Sequence, residues 1–267
     1  LFRPQSGYPR IPRHICRQRV MVAANSNNSK TPHKTIVHIL PRLEFGGTER
    51  IVTDMVTSKQ MQSLATQIVV ALKRDNGPNR KALMSAGVVI YDLEFPNLLK
   101  TSMRAIHIIR SLRALQPSAI IGWLYFGNIF ATLFRVFLAN EERGKTTLVH
   151  NIRNSSIRLR QYGILTNLSY RLNALVSSCS DVTIFNSVVG LESHRNFGFS
   201  PKRSVVLYNG IDVDRFQRRC GITNHWRKKL RIPKTALVVL IVGRNDPQKR
   251  YDIVKSLADQ NPNIFFL

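Results

Sequence analysis

The sequence predicts a doubly wound α/β fold. From Thr35 onward, short apolar runs alternate with amphipathic segments. The runs are continuous rather than alternating, the pattern of parallel strands covered on both faces. In addition, 267 residues at 43% hydrophobic are enough for one or two packed cores.

The strand-like runs are 35–40 (TIVHIL), 66–71 (TQIVVA), 88–92, 118–123, 146–152 (TTLVHNI), 182–185 (VTIF) and 204–208. Amphipathic segments near 48–58, 79–86, 101–114, 128–139, 160–177 and 187–196 fill the gaps, giving repeated β-then-α order. Residues 217–231 are polar and basic, like a connector with a short helix. A strand over 236–242, a helix over 248–259 and a strand over 263–267 then make one βαβ unit. One such unit cannot bury both faces of a sheet, so it reads as the start of a second, incomplete Rossmann-like domain. The resulting division is 1–34, a disordered basic leader; 35–216, the first Rossmann-like domain; and 217–267, the start of the second.

The leader carries Arg3, Arg10, Arg13, Arg17 and Arg19 with no acid, and Pro4, Pro9 and Pro12 break any helix. It lacks the apolar run of a secretory signal; an Arg-rich transit peptide is the alternative to a disordered extension. Met21 stands just before the polar stretch that leads into the first strand and is the expected start of translation. The final Asn263–Leu267 run reads as a strand cut mid-course.

Residues 119–139 are nearly all apolar and long enough to span a bilayer. Gly122, Gly127, Asn128 and Arg135 oppose that reading. A buried strand ending near Trp123, then a helix capped by Asn128, is the expectation.

Lys and Arg total 40 against 15 Asp and Glu, a net charge of +25. The partner should therefore carry negative charge: nucleic acid, an anionic membrane or a phosphorylated ligand. Three scattered cysteines (Cys16, Cys179, Cys220) suit neither a disulfide framework nor a zinc site, which points to the cytoplasm. No His pattern of metal-binding spacing occurs. Residues 157–176 interleave Arg158, Arg160 and Arg171 with Ile, Leu and Tyr, as in segments that lie on anionic membranes.

Gly144-Lys145-Thr146 approaches a phosphate-binding loop, but a helix precedes it and a strand follows, the reverse of the required order. Gly46-Gly47 precedes a helix, where free N–H groups attract phosphate. In Val242–Arg250 the strand ends, Asp246 and Pro247 suit a helix start, and Lys249 and Arg250 fall in the first turn. Cations there oppose the helix dipole, and a bound diphosphate gripped by Arg244 and Lys249 would relieve the conflict. Asn209-Gly210 is a turn pair placed as a hinge between the two units. His150 and Arg153 lie at the end of a strand, where a base or a hydroxyl-binding group would stand.

Together these motifs resemble glycosyltransferase family 4, retaining enzymes of the GT-B fold. HILPRLEFGGTERIVTDM resembles the family's opening strand, Gly-Gly loop and helix. SDVTIFNSVVGLESHRNFGFSPKRSVVLYNGIDVDRFQ resembles the end of its first domain, and VGRNDPQK its donor-diphosphate motif. The resemblance spans about 35–267 and implies a sugar transferase working with retention and without metal. The donor would be a nucleotide-diphosphate sugar and no other cofactor would be needed. Gly46 and Gly47 would lie near the donor phosphates, and Arg244 and Lys249 would stabilise the diphosphate leaving group. Many members carry a His where Ile152-Arg153 stand, so the acceptor-side catalytic residue is expected to be Arg153, with His150 the alternative. The family's paired-glutamate donor motif lies beyond Leu267, so the chain is expected to be a fragment lacking part of the donor site. A polysaccharide or lipid-linked acceptor and peripheral contact with the inner face of an anionic membrane complete the expectation, with no nucleic acid. The competing readings are a non-catalytic basic protein binding membrane or nucleic acid, and an integral protein anchored by 119–139.

Overall fold

The computed structural model describes residues 34–139, 146–154, 163–211, 213–214, 222–243 and 249–267. Residues 1–33 of the leader, Gly144, Lys145, Arg158, Arg160, Arg244, Asp246 and Pro247 lie outside the described residues.

Seven strands fall where the apolar runs put them: β1 (Thr35–Leu40), β2 (Thr66–Ala71), β3 (Val89–Asp92), β4 (Ala119–Trp123), β5 (Thr147–Ile152), β6 (Val182–Phe185) and β7 (Ser204–Val206). They form one sheet in the order β3-β2-β1-β4-β5-β6-β7, with every pair parallel. Helices supply the crossovers that parallel pairing requires: α1 (Gly47–Val56), α2 (Lys59–Leu64), α3 (Pro78–Ser85), α4 (Leu98–Leu115), α5 (Leu124–Leu138), α6 (Ile164–Ser177) and α7 (Val188–Phe197). Helix α2 is absent from the sequence reading because KQMQSL has no apolar periodicity; Ser58 starts it by accepting from the Met61 N–H at 3.2 Å. The chain then forms α8 (Ile222–Lys229), β8 (Val238–Val239), α9 (Tyr251–Gln260) and β9 (Phe265–Phe266), with β8 and β9 a separate parallel pair.

The sheet is packed on two faces. On one, Val37, Ile39, Ile120 and Leu148 meet Ile108 and Leu112 of α4 and Ala131 and Phe134 of α5. On the other, Leu40, Val69 and Ala71 meet Val52 and Val56 of α1 and Leu83 of α3. Each buried Val, Leu, Ile or Phe among them contributes about 1.5–3 kcal/mol. Coverage is uneven: Ile121, Val149, Val182 and Ile184, which alternate with buried neighbours, stay half-buried.

The 119–139 stretch differs from expectation at its turn. Asn128 caps nothing; β4 runs directly into α5, and Leu124 makes the turn in the left-handed region at φ 61°. Asn128 is instead fully buried, accepting from the Asn151 N–H at 3.1 Å and donating to Asn173 Oδ1 at 3.4 Å. Helix α5 has 15 residues, and among the described residues no helix is long and apolar enough to cross a membrane.

Two glycines make the tight turn possible. A Cβ on Gly122 would stand 2.5 Å from the Asn128 Cα, and one on Gly127 would press into the Ile39 carbonyl oxygen. Both obstacles are backbone and cannot swing away. Gly127→Ala should therefore cost about 2 kcal/mol in urea unfolding, although alanine normally favours a helix over glycine by about 1 kcal/mol. A neutral or stabilising result would refute the close approach.

Candidate functional site

Because every strand is parallel, all strand C-termini open onto one rim, and the strand order reverses between β1 and β4. Such a reversal leaves a crevice where α/β sheets bind ligands.

The loop after β1, which carries Gly46, is held from below. Asp75 accepts from the Leu43 N–H at 2.6 Å and from the Gly77 N–H at 3.1 Å, and Asn79 donates to the Glu44 carbonyl at 2.5 Å. Arg80 bridges the nearly buried carboxylates of Asp75, at 3.9 Å, and Asp92, with which it makes a short ion pair. Removing the guanidinium leaves two buried carboxylates uncompensated. Arg80→Ala should cost about 3–5 kcal/mol in chemical denaturation, while Arg80→Lys should recover part of it; a loss under about 1 kcal/mol would show that the network does not anchor this loop.

Gly46 is the residue before α1, in an extended conformation, and Gly47 begins the helix with open space around its missing Cβ. A Cβ on Gly46 would collide with the Glu49 carboxylate, which folds back over the helix start. An incoming phosphate would meet that carboxylate, so the two glycines alone do not make an anion site.

The more distinctive group lies on β4–β7. Arg153, just past β5, is half-buried, with its guanidinium 4.9 Å from the centre of the Trp123 ring. Its Nη1 makes a short hydrogen bond to Asn209 Oδ1, and its carbonyl accepts from Asn186 Nδ2 at 3.0 Å. Burial pulls its pKa below the ordinary arginine value. Arg153 Nε, Asn186 Oδ1 and Asn151 Oδ1 are buried without hydrogen-bond partners. A cation among neutral partners, with one unsatisfied donor and two unsatisfied acceptors near the same strand ends, suits a polar ligand that both accepts and donates hydrogen bonds.

Trp123 is itself fixed from behind. Its Nε1–H donates to His38 Nδ1 at 3.2 Å, and the opposite ring nitrogen of His38 meets Gln67 Oε1 at 2.9 Å. Gln67 Nε2 donates to the Met61 and Ala65 carbonyls, both at 3.0 Å. The partners fix the neutral tautomer with the proton on Nε2, and desolvation holds the His38 pKa down at about 4.

His150 does not reach the rim. It is 0% exposed, on the α5 face of the sheet, with Nε2 2.9 Å from Thr132 Oγ1. The alternation that sends Arg153 to the crevice sends His150 into the core, and desolvation lowers its pKa to about 4. Asn209 and Gly210 lie just beyond β7, so the predicted hinge touches Arg153 directly. The helix after β8 starts later than expected: α9 begins at Tyr251, Lys249 precedes it and is exposed, and Arg250 pairs with Asp252 at 2.8 Å. Lys249 therefore stands just before the helix rather than in its first turn, and Arg244 lies outside the described residues. Tyr251 Oη donates to the Gly243 carbonyl at 2.9 Å, bringing the end of that loop back to the helix.

Sequence reasoning missed Trp123, His38, Asn186 and the Asp75–Arg80–Asp92 group. Trp123 and Asn186 each stand at or just after a strand end, the one signal that could have found them. Among the described residues, no three His, Cys, Asp or Glu come together as a metal site.

No protein-family model and no curated protein matches the chain. Solved structures do. HepE of Anabaena, bound to UDP and glucose, matches at TM-score 0.67 and 14% identity over 88% of this chain and 60% of its own. The chain shares its Rossmann-like fold. A glycosyltransferase from Rickettsia africae matches at TM-score 0.56 and 12% identity, over 89% of this chain and 68% of its own. The lipopolysaccharide outer core galactosyltransferase WaaB matches at 0.53 and 12%, over 87% and 67%. The chain thus spans 60% of the length of HepE.

Proposed function

We propose that this chain belongs to a glycosyltransferase that moves a sugar from a nucleotide-diphosphate donor, with UDP the favoured nucleotide, to a saccharide or lipid-linked acceptor. The observation that carries the reading is Arg153: a cation on the C-terminal rim of a parallel sheet, held on Trp123 by neutral partners. The folds it shares include proteins bound to UDP and UDP-glucose, which supports the same donor class here.

In this reading Arg244 and Lys249 neutralise the diphosphate. The bond from the sugar's anomeric carbon to phosphate breaks as the bond to the acceptor oxygen forms. The acceptor's proton passes to the departing phosphate oxygen on the same face, giving retention without a metal. Arg153 orients the acceptor or the sugar by hydrogen bonds from its guanidinium, and Asn209 couples its position to the connector. His150 is a core residue in this account. The family 4 assignment and a cytoplasmic, membrane-peripheral setting belong to the same proposal.

Calorimetric titration tests it. The full chain should bind UDP-glucose or UDP saturably, and Arg244→Ala with Lys249→Ala should weaken that binding by about tenfold or more. A full-length protein that binds no nucleotide-sugar, yet binds DNA with steep salt dependence, would favour the non-catalytic alternative.

A further inference from the structure

Helix α6 is amphipathic the wrong way round. Its buried positions include Ser169, Asn173 and Ser177, whereas Ile164, Leu168, Leu172 and Leu175 face outward. Ile164 is 87% and Leu175 73% exposed. Helix α4 repeats the pattern more mildly. Opposite its buried Thr101, Ile108 and Leu112 runs an outward stripe of Leu99, Met103 and Ile106, continued by Arg110. Helix α5 packs against both and adds exposed Val136 and Phe137 between them. An apolar surface of this extent, spread over three neighbouring helices, marks an interaction site.

The charge of this layer chooses the partner. Helices α4, α5 and α6 together contain no Asp or Glu, but carry Lys100, Arg104, Arg110, Arg113, Arg135 and Arg171, of which Lys100 and Arg104 pair with Glu94 and Arg135 with Asp181. Arg110 and Arg171 are exposed, with no carboxylate partner among the described residues. By contrast α1, on the opposite side of the sheet, carries Glu49 and Asp54. A second copy of this chain would oppose like charges without acids to pair them. An anionic bilayer accepts both parts, taking the apolar side chains into its interface and the cations at its headgroups.

We infer that the α4–α5–α6 layer docks on an anionic membrane surface. The orientation follows from the topology. These helices follow parallel strands, so their N-termini lie on the same side as the strand C-termini. The highly exposed Leu98, Leu99, Ile164 and Leu165 therefore stand at the rim that carries Arg153. Docking through them brings the crevice to the headgroup plane, where an acceptor with a lipid anchor is within reach. The inference rests on the membrane-peripheral setting proposed above and names the surface that makes the contact; its test is separate from that of nucleotide-sugar transfer, because vesicle binding requires no catalysis.

The test is co-sedimentation of the full chain with two vesicle types, phosphatidylcholine alone and equimolar phosphatidylcholine and phosphatidylglycerol. Strong binding is expected only to the anionic vesicles. Ile164→Ser/Leu168→Ser/Leu175→Ser should weaken it by at least about tenfold, and Arg110→Glu/Arg171→Glu by about tenfold with a flatter salt dependence. All five positions are exposed, and circular dichroism confirms that each variant is folded. Three results would overturn the inference. They are no binding to anionic vesicles, binding that survives the serine triple variant, and a dimer in solution that buries the α6 face and dissociates in that variant.

Discussion

Arg153→Ala lowers the rate of sugar transfer by about 10²- to 10³-fold and barely changes stability; this is the largest functional effect we expect. The magnitude is that of removing one preorganised charged donor from a reacting centre. The small stability effect follows because Arg153 is only half-buried and its partners are neutral, so no buried counter-charge is stranded. Arg153→Lys should recover little, since an ammonium cannot both lie flat on Trp123 and reach Asn209. Asn209→Ala leaves the cation but frees its orientation and should cost roughly tenfold, chiefly in kcat rather than KM. Steady-state kinetics with UDP-glucose on the three variants separates these outcomes. If Arg153→Ala retains full kcat, the guanidinium belongs to the scaffold and not to the site.

Acid should lower stability by an amount comparable to the loss of Arg80. His38 and His150 are buried and neutral, and desolvation lowers both from 6.5 to about 4. His194 shifts the same way; it is buried, with Nδ1 donating to the Gly190 carbonyl and Tyr125 Oη donating to Nε2 at 2.9 Å. Above pH 6.5 both folded and unfolded chains are neutral at these rings and stability is unchanged. Between 6.5 and about 4 the unfolded chain takes up protons that the folded chain refuses, so stability falls as the pH falls. Below about 4 the loss levels off. Each ring approaches a slope of about 1.4 kcal/mol per pH unit below 6.5, so His38 and His150 together remove about 3 kcal/mol between pH 6.5 and 5. Urea unfolding across that range measures it, and His150→Gln should remove about half of the slope. A flat profile would mean that the rings are hydrated or charged in the folded protein.

The sheet was legible in the sequence because burial on both faces leaves continuous apolar runs; TIVHIL, TQIVVA and VTIF mark β1, β2 and β6 to the residue. The strand-to-helix turn at Trp123–Leu124 was not. Nothing in the composition of 119–139 shows that Gly127 packs on the β1 backbone, or that Asn128 serves the core instead of a cap. The site was legible only in part. A strand end names Arg153 and His150 together, but the two-residue alternation that separates rim from core depends on where the strand stops. Trp123 was hidden for a different reason, since its role comes from long-range pairing with His38, on a strand 85 residues earlier in the chain. The outward leucines of α6 were visible as a basic amphipathic segment, but not which face they occupied. Serine and asparagine at the buried positions reverse the usual assignment.

The central claim is that the C-terminal rim of the seven-stranded sheet binds a nucleotide-sugar. Hydrogen–deuterium exchange of the full-length protein, with and without UDP-glucose, tests it most directly. The account predicts slowed exchange at residues 41–47, 153–154, 186–187 and 207–210 together with the segment around Lys249, with no change in α2. Protection confined to surfaces away from that rim, or none at saturating ligand, would contradict it.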